Sequence, residues 1–236
     1  FQYDPFDRQT RVTSPQSAVT QMVYDTLGNL ISSTDPGGRT TEYTYDGRGN
    51  KVTVKDAVGN ITQYLYDAGN RMVRMTDPAG QMTQVTYDGN DRPLQVMAPL
   101  GQTTTLTYDD ASRTRTIMNA VDQTTTFQLD RIGRVTQVTN ADGKSNVYEY
   151  DLAGNIIRVT DPLSRTETFV YDAAGRKISE TDALDQTTTY SYDAAGNVVA
   201  LTNARSQTTN FGYDYANRMT QVNDPLGGVT QLQYDA

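Results

Sequence analysis

The chain has 236 residues and a formal net charge of −8, and it contains no Cys, no His and no Trp. The acidic balance argues against a nucleic-acid duplex or an anionic membrane as a partner. The missing Cys and His exclude disulfides, thiolate or imidazole metal sites, and Ser-His or Cys-His catalysis.

The remaining composition favours β-structure. Only 36% of the residues are hydrophobic, and 16 Tyr stand against 5 Phe. Such a composition is typical of thin, two-faced sheets rather than of a thick globular core. The apolar runs, such as residues 197–201, are too short to cross a bilayer, so we expect no membrane-spanning segment.

The dipeptide Tyr-Asp recurs along the chain with a spacing of 21 residues. The slot at Leu129-Asp130 lacks the Tyr, and the other slots begin at Tyr3, Tyr24, Tyr45, Tyr66, Tyr87, Tyr108, Tyr150, Tyr171, Tyr192, Tyr213 and Tyr234. Eleven periods follow without an insertion or deletion. This regularity predicts one uninterrupted array over residues 1–236, with no internal domain boundary. We expect the array to be a fragment of a longer chain.

Each repeat, numbered from its Tyr as position 0, predicts one β-hairpin. It begins with a tight turn, because position +4 holds residues that tolerate a left-handed backbone: Asp7, Gly28, Gly49, Asn70, Asp91, Ser112, Gly133, Gly154, Gly175, Gly196 and Asn217. Position +5 is Arg or Asn, and a β-rich segment such as residues 51–55 follows. A second turn, with Gly, Ser or Asp at +14, leads into a strand that returns to the next Tyr.

The returning strand alternates between large and polar side chains. Tyr43 with Tyr45 and Phe169 with Tyr171 occupy positions +19 and +21, and polar residues such as Thr44 separate them. Side chains two apart share a face, so one face carries an aromatic ladder and the other is wettable. The predicted fold class is therefore all-β: tandem 21-residue hairpins in a continuous, curved antiparallel strip.

The phrases "YDLAGN" at 150–155, "YDAAGR" at 171–176 and "YDAAGN" at 192–197, each followed by a β-rich run and a second turn, resemble the YD repeat of the Rhs family. That family includes bacterial Rhs polymorphic toxins, the C component of Tc toxins, wall-associated repeat proteins and teneurins. The resemblance covers essentially the whole chain. It implies that the strip is part of a hollow shell or spiral, which in toxin members encloses a C-terminal toxic domain.

The Asp of each Tyr-Asp pair supports two interpretations. A row of carboxylates could bind calcium, which favours clustered oxygens. Alternatively, each Asp side chain caps the backbone N–H groups of its own turn. We favour the cap, because repeats about 9.6 Å apart cannot share a cation. We expect no metal site and no cofactor.

The Tyr ladder and the Arg/Asn row at +5 also have two interpretations each. The Tyr rings could form a sugar-binding platform, but we favour a role as the packing core of the strip. The Arg/Asn row could bind anions, but we favour bonds to turn carbonyls and to neighbouring Asp side chains.

Three weaker signals complete the candidates. Asp109-Asp110 could suggest acid–base catalysis, but adjacent strand residues point to opposite faces. Thr-rich segments at 102–107, 123–127 and 186–191 could bind ice or sugars, but Thr is also an ordinary solvent-facing strand residue. The sequon Asn60-Ile61-Thr62 is too short to carry an argument. No set of residues predicts an active site, and we expect no catalytic residue.

The sequence therefore predicts a non-enzymatic shell segment that encloses a toxin or effector segment encoded elsewhere in the chain. The expected location is secreted or at the bacterial cell surface, with self-association through the strip edges. The alternatives are an exported adhesive or fibre-forming structural protein and a carbohydrate-binding module.

Overall fold

The computed structural model describes residues 1–235, which form 23 β-strands joined by tight turns. This confirms the predicted all-β class built from tandem antiparallel hairpins. None of the described residues forms a helix long and apolar enough to span a membrane. The chain divides into two compact units: residues 1–107 with 117–123 form unit 1, and residues 108–116 with 124 onward form unit 2.

The first twelve strands are β1 Gln2–Tyr3, β2 Gln9–Thr13, β3 Val19–Tyr24, β4 Leu30–Thr34, β5 Thr40–Tyr45, β6 Lys51–Lys55, β7 Ile61–Tyr66, β8 Met72–Thr76, β9 Met82–Tyr87, β10 Pro93–Met97, β11 Thr103–Asp109 and β12 Thr114–Met118. The remaining strands are β13 Thr124–Leu129, β14 Val135–Thr139, β15 Ser145–Tyr150, β16 Ile156–Thr160, β17 Thr166–Tyr171, β18 Lys177–Thr181, β19 Thr187–Tyr192, β20 Val198–Thr202, β21 Thr208–Tyr213, β22 Met219–Asn223 and β23 Val229–Gln231.

Strands that follow one another in the chain pair antiparallel. This holds from β1 to β11 and from β13 to β23. In β5 and β6, for example, Tyr43 lies opposite Val54. These pairings all join strands that are neighbours in the sequence, as expected for a repeat array.

A β-bulge lies beside the Tyr of most repeats. Thr44 pairs with Thr53, but Tyr45 pairs with Lys51, so that two residues of β6 lie opposite one residue of β5. The same shift occurs at Tyr24, Tyr66, Tyr150, Tyr171, Tyr192 and Tyr213. A bulge bends its strand and increases the local twist, so each of these repeats carries its own source of twist.

Most repeats contain two turns, and both turns have the same backbone conformation. We call the turn that follows Tyr-Asp the YD turn (25–29 in the second repeat) and the turn at the opposite edge the distal turn (56–60 in the third). In the first, Asp25 N donates to Asn29 O at 2.9 Å and Gly28 has φ +94°. In the second, Asp56 N donates to Asn60 O at 2.9 Å and Gly59 also has φ +94°. These are three-residue hairpin loops that end in a left-handed residue.

The predicted division into two faces is confirmed. In β5, Tyr43 and Tyr45 are half-buried, whereas Glu42 and Thr44 are exposed. We call the side that carries Tyr45 and its equivalents the apolar face and the other side the polar face. The neighbouring strands add further apolar side chains to the apolar face. Met75, for example, lies opposite Tyr64.

The sheet encloses almost no core. Among residues 1–235, Leu129 is the one hydrophobic residue that is buried, with 8% of its surface exposed. The tyrosines of the ladder stand where the sequence predicted them, but they are half-buried rather than packed in a closed core. The hydrophobic contribution of each repeat is correspondingly modest, because it scales with the apolar area removed from water.

The repeat that starts at Tyr108 corrects one expectation. The sequence predicted a left-handed residue at Ser112, but the positive φ of 54° belongs to Arg113. Here β11 extends through Asp109, and Ser112 donates to that Asp through both its backbone N (3.1 Å) and its hydroxyl (2.6 Å). These bonds hold Ser112 against Asp109, so the left-handed position moves one residue along the chain.

Two glycines in one YD turn allow a matched test of the left-handed position. Gly49 has φ +84°, whereas Gly47 has an ordinary φ and open space around its missing Cβ. We expect Gly49→Ala to lower the free energy of unfolding by about 1 kcal/mol, because a Cβ is disfavoured in the left-handed region. Gly47→Ala is the control and should leave the urea unfolding midpoint unchanged or slightly raised. Equal losses in both variants would contradict the assignment.

Candidate functional site

The Asp of the YD turn caps its own loop. Asp25 Oδ1 accepts hydrogen bonds from Leu27 N at 2.9 Å and Asn29 N at 2.8 Å. The same pair of bonds is made by Asp4, Asp46, Asp67, Asp88, Asp130, Asp172, Asp193 and Asp214. The predicted capping role is thereby confirmed for these residues.

These caps lower the pKa of the carboxyl groups. In Asp46 and Asp193, the hydrogen bond from the Asn side chain four residues later is the largest cause, and backbone N–H groups add to it. In Asp67 the largest cause is the hydrogen bond from the Arg71 guanidinium. Each interaction favours the ionised form, so the pKa falls below its ordinary value of 3.8.

Arg at position +5 joins one YD turn to the next. Arg71 holds Asp67 Oδ2 with two nitrogens, at 2.8 Å from Nε and 2.7 Å from Nη2. Its Nη1 donates to the backbone O of Asp88 in the following YD turn at 2.9 Å. The predicted bonds of the +5 row to Asp side chains and turn carbonyls are confirmed here. Corresponding carbonyl bonds are made by Arg8, Arg134, Arg176 and Arg218.

The same guanidinium covers the next Tyr ring. The Arg71 Cζ lies 4.9 Å from the centre of the Tyr87 ring. Equivalent contacts of 4.5 to 4.9 Å join Arg8 to Tyr24, Arg134 to Tyr150, Arg176 to Tyr192 and Arg218 to Tyr234. A cation–π contact of this kind contributes about 0.5–1 kcal/mol at an exposed site.

The Tyr hydroxyl adds a further bond to the same region. We call these contacts of the +5 side chain and the next Tyr, which link consecutive repeats, the junction. Tyr87 Oη donates to the backbone O of Met72, 15 residues earlier, at 2.9 Å. Bonds of 2.7 to 3.0 Å to the same position are made by Tyr24, Tyr45, Tyr66, Tyr150, Tyr192, Tyr213 and Tyr234. Neither the ring contact nor this bond was expected from the sequence. The signal that could have found the ring contact is the spacing of 16 residues between a +5 Arg and the next Tyr, which holds for every +5 Arg except Arg113.

Asn at position +5 makes a shorter version of the junction. Asn50 Nδ2 donates to Asp46 Oδ2 at 2.9 Å and to Asn70 Oδ1 in the next YD turn at 3.0 Å. Asn197 does the same with Asp193 and Asn217, at 2.9 Å each. The bond to the Asp and the link between turns are therefore kept without a charge on the +5 side chain.

Leu129 replaces the Tyr in one repeat, and neighbouring groups close that junction. Gln128 Nε2 donates to Ser112 O at 2.7 Å, and Leu129 N donates to Arg113 O at 2.9 Å. Arg113 Nε donates back to Leu129 O at 3.3 Å. The apolar side chain takes the most buried position in the described structure, so packing replaces the hydroxyl bond.

One charged cluster interrupts the apolar face. Glu180 stands opposite Phe169, at a position where most other repeats carry an aliphatic residue, as at Val54. It accepts a hydrogen bond from Tyr190 Oη at 2.7 Å and pairs with Lys177. The Lys177 hydrogen bond lowers the Glu180 pKa, and burial raises the Tyr190 pKa. The two charges neutralise each other, and the arrangement leaves neither as a free acid or base.

The other predicted candidates also lie in structural contacts. Asp109 is engaged with Ser112, as described above. Thr181 pairs with Thr187 through their hydroxyls at 2.8 Å. Asn60 of the sequon donates through Nδ2 to Asp56 Oδ2 at 2.7 Å within its distal turn. Among residues 1–235, no three acidic side chains lie together as a group that could hold a metal ion.

Comparison with known families gives two matches. The family model of the Teneurin YD-shell matches residues 1–185. The model of the RHS Repeat matches residues 178–208 and 192–229. No curated protein sequence matches the chain.

Solved structures similar to the chain include assemblies of TcdB2 with TccC3. The crystal structure of TcdB2-TccC3-TEV is 18% identical over 92% of this chain and 14% of that chain, with a TM-score of 0.64. The Photorhabdus luminescens Tc holotoxin pore is 14% identical over 94% of this chain and 17% of that chain, with a TM-score of 0.40. The chain thus spans about a sixth of these solved chains or less. The first likeness shows a shared fold.

The Tyr hydroxyl bond can be tested against an exposed Tyr. Tyr192 Oη donates to Lys177 O at 2.7 Å, whereas the Tyr215 side chain projects from a YD turn and is fully exposed. We expect Tyr192→Phe to lower the free energy of unfolding by about 1 kcal/mol, because the carbonyl loses its donor. Tyr215→Phe should change it by less than about 0.5 kcal/mol. If urea unfolding gave equal values for both, the bond would contribute nothing.

The capped carboxyls predict a loss of stability in acid. The pKa of Asp25, Asp46, Asp151 and Asp193 is lowered in the folded chain, chiefly by the Asn side chain four residues later. A lowered folded-state pKa stabilises the fold above the unfolded value, and this stability is lost as pH falls through 3.8 and below. We expect the thermal midpoint to fall steeply below about pH 4.

A variant with Asn in all four positions supplies the control. Asn119 accepts the same two backbone bonds in a distal turn, from Val121 N and Gln123 N, so Asn keeps the cap and cannot titrate. The variant should be measurably less acid-sensitive than the original chain. An unchanged pH profile would show that other carboxyls govern acid unfolding.

Proposed function

The chain belongs to the Teneurin YD-shell family, and from this premise we propose that it is a non-catalytic segment of a shell wall. The wall would enclose a toxin or effector segment encoded elsewhere in a longer polypeptide. On this proposal residues 1–236 are one uninterrupted stretch of YD-repeat array. The polypeptide would be exported by a bacterium or displayed on its surface.

The observation that carries the proposal is the two-faced sheet one layer thick. A wall must separate two environments. In strands such as β5, β7 and β15, half-buried Tyr side chains lie on one side, and exposed, mostly polar residues lie on the other, with apolar exceptions such as Leu65 and Val147. A single layer encloses a volume with the least protein. The turns and junctions hold the layer together from within, so neither face has to be covered for the hairpins to remain paired.

The polar side chains that recur in every repeat take part in holding the sheet. The YD carboxylates cap their turns, and several of the Arg side chains bridge consecutive turns. This supports a structural rather than a catalytic role. A net charge of −8 further supports a partner that is neither a nucleic acid nor an anionic membrane.

The junction geometry weighs against a carbohydrate-binding module. A sugar platform needs open aromatic faces, but the ring of Tyr192 is covered by Arg176 at 4.6 Å and its hydroxyl is bonded to a backbone carbonyl. The same arrangement occupies Tyr87 and Tyr150. The tyrosines of these repeats therefore serve the sheet itself.

Electron microscopy of the intact native polypeptide tests the proposal. We expect a closed hollow particle with density inside, and we expect the enclosed segment to resist a protease that digests it once the particle is denatured. An open filament would overturn the shell and favour an exported fibre-forming or adhesive protein. A closed particle whose interior is empty in every class would overturn the enclosure.

A further inference from the structure

The distal turns carry exposed apolar side chains that the hairpins do not use. Six of them have a large aliphatic residue at position +13, and 71% to 90% of each residue is exposed. These residues are Val58, Leu100, Val121, Leu163, Leu184 and Leu226, which we call the distal row. Exposed large side chains that recur along one edge are unusual for a protein surface and mark interaction sites.

The turn itself does not require an aliphatic residue at +13. In the third repeat, only the backbone N of Val58 takes part, donating to Asp56 Oδ1 at 3.0 Å. Asp142 and Arg205 occupy the same position in other distal turns and make the same backbone bond, at 3.1 and 3.0 Å. The turn therefore forms with a polar residue at +13 as well, so the turn does not explain the apolar residues of the distal row.

The order of the distal row is self-complementary. We number the distal turns along the chain, beginning with the turn at 14–18. The distal-row residues of unit 1 then lie on turns three, five and six. Those in unit 2 stand on turns eight, nine and eleven. The gaps are two repeats and then one in unit 1, and one and then two in unit 2. When one row is reversed the gaps coincide, at about 19 and 10 Å for strands 4.8 Å apart.

We propose that the distal row is an interface with a second copy of this chain. Unit 1 of one copy contacts unit 2 of the other with the rows antiparallel. Val58 then meets Leu226, Leu100 meets Leu184, and Val121 meets Leu163 of the other copy. A second copy supplies the matching gaps by construction, whereas an unrelated partner would have to reproduce a 21-residue period.

The area suits a reversible dimer. A buried Val or Leu side chain removes roughly 60–120 Å² of apolar surface from water. Six such side chains in one contact give roughly 360–720 Å², the size of a weak, transient interface. The distal row carries no charge, but each copy has a net charge of −8. Association should therefore strengthen as salt screens the repulsion between copies.

Sedimentation velocity over a range of concentrations tests the interface. We expect a reversible dimer that Leu184→Asp weakens at least tenfold, and the fold tolerates Asp at this position, as Asp142 shows. The matched control is Leu152→Asp, on a fully exposed residue of a YD turn at the opposite edge; it should leave the dimer unchanged. A monomer at every concentration and salt would overturn the proposal. So would equal weakening by both variants, or end-to-end chains that Leu184→Asp leaves intact.

Cross-linking tests the register separately. The chain has no Cys, so a thiol can be placed at one chosen tip. Copies with Val58→Cys, mixed with copies with Leu226→Cys, should form a mixed disulfide under mild oxidation. Each variant alone, and Val58→Cys mixed with Leu152→Cys, should form far less. Equal yields in all mixtures would exclude the antiparallel pairing.

Discussion

The governing constraint is that the sheet is one layer thick. With Leu129 as the one buried hydrophobic residue among those described, burial supplies less stability to each repeat than it does in a two-layered domain. Local polar contacts therefore contribute a larger share of the stability of each repeat. A hydrogen bond contributes about 1 kcal/mol and a cation–π contact somewhat less, so a junction that combines several can offset part of the entropy lost in ordering a repeat.

The Arg junction shows how one side chain serves two repeats. Arg176 is tied to Asp172 in its own YD turn, donates to Asp193 O in the next, and covers the Tyr192 ring. A surface ion pair alone would contribute little. Here the Asp also caps the turn and the covered Tyr donates to the start of the hairpin. Each group is held by the others, so the contacts reinforce one another more than separate surface pairs would.

Features that depend on one repeat could be predicted from the sequence. Between repeats, the bonds of the +5 row to turn carbonyls were predicted, whereas the Tyr ring contact and the Tyr hydroxyl bond were not. Period, turn positions and faces follow from local rules: Gly28 and Gly59 mark left-handed residues, and alternation of large and polar side chains marks Tyr43 and Tyr45. The Tyr87 ring contact joins residues 16 apart, a distance set by strand register and the bulge. Ser112 misled the prediction because a side chain in the same turn, Asp109, shifted the left-handed position.

The variation among junctions indicates what the repeat must preserve. Arg71, Asn50 and the Gln128–Arg113 pair are chemically different, yet each bonds across to another turn or strand end and keeps the strands in register. What is constant is that consecutive repeats are linked at the edge that carries the YD turns, rather than the charge or aromatic character of the link. An active site would require fixed functional groups at one place. A wall requires that every repeat present the same backbone to the next, and these junctions satisfy that requirement by different chemical means.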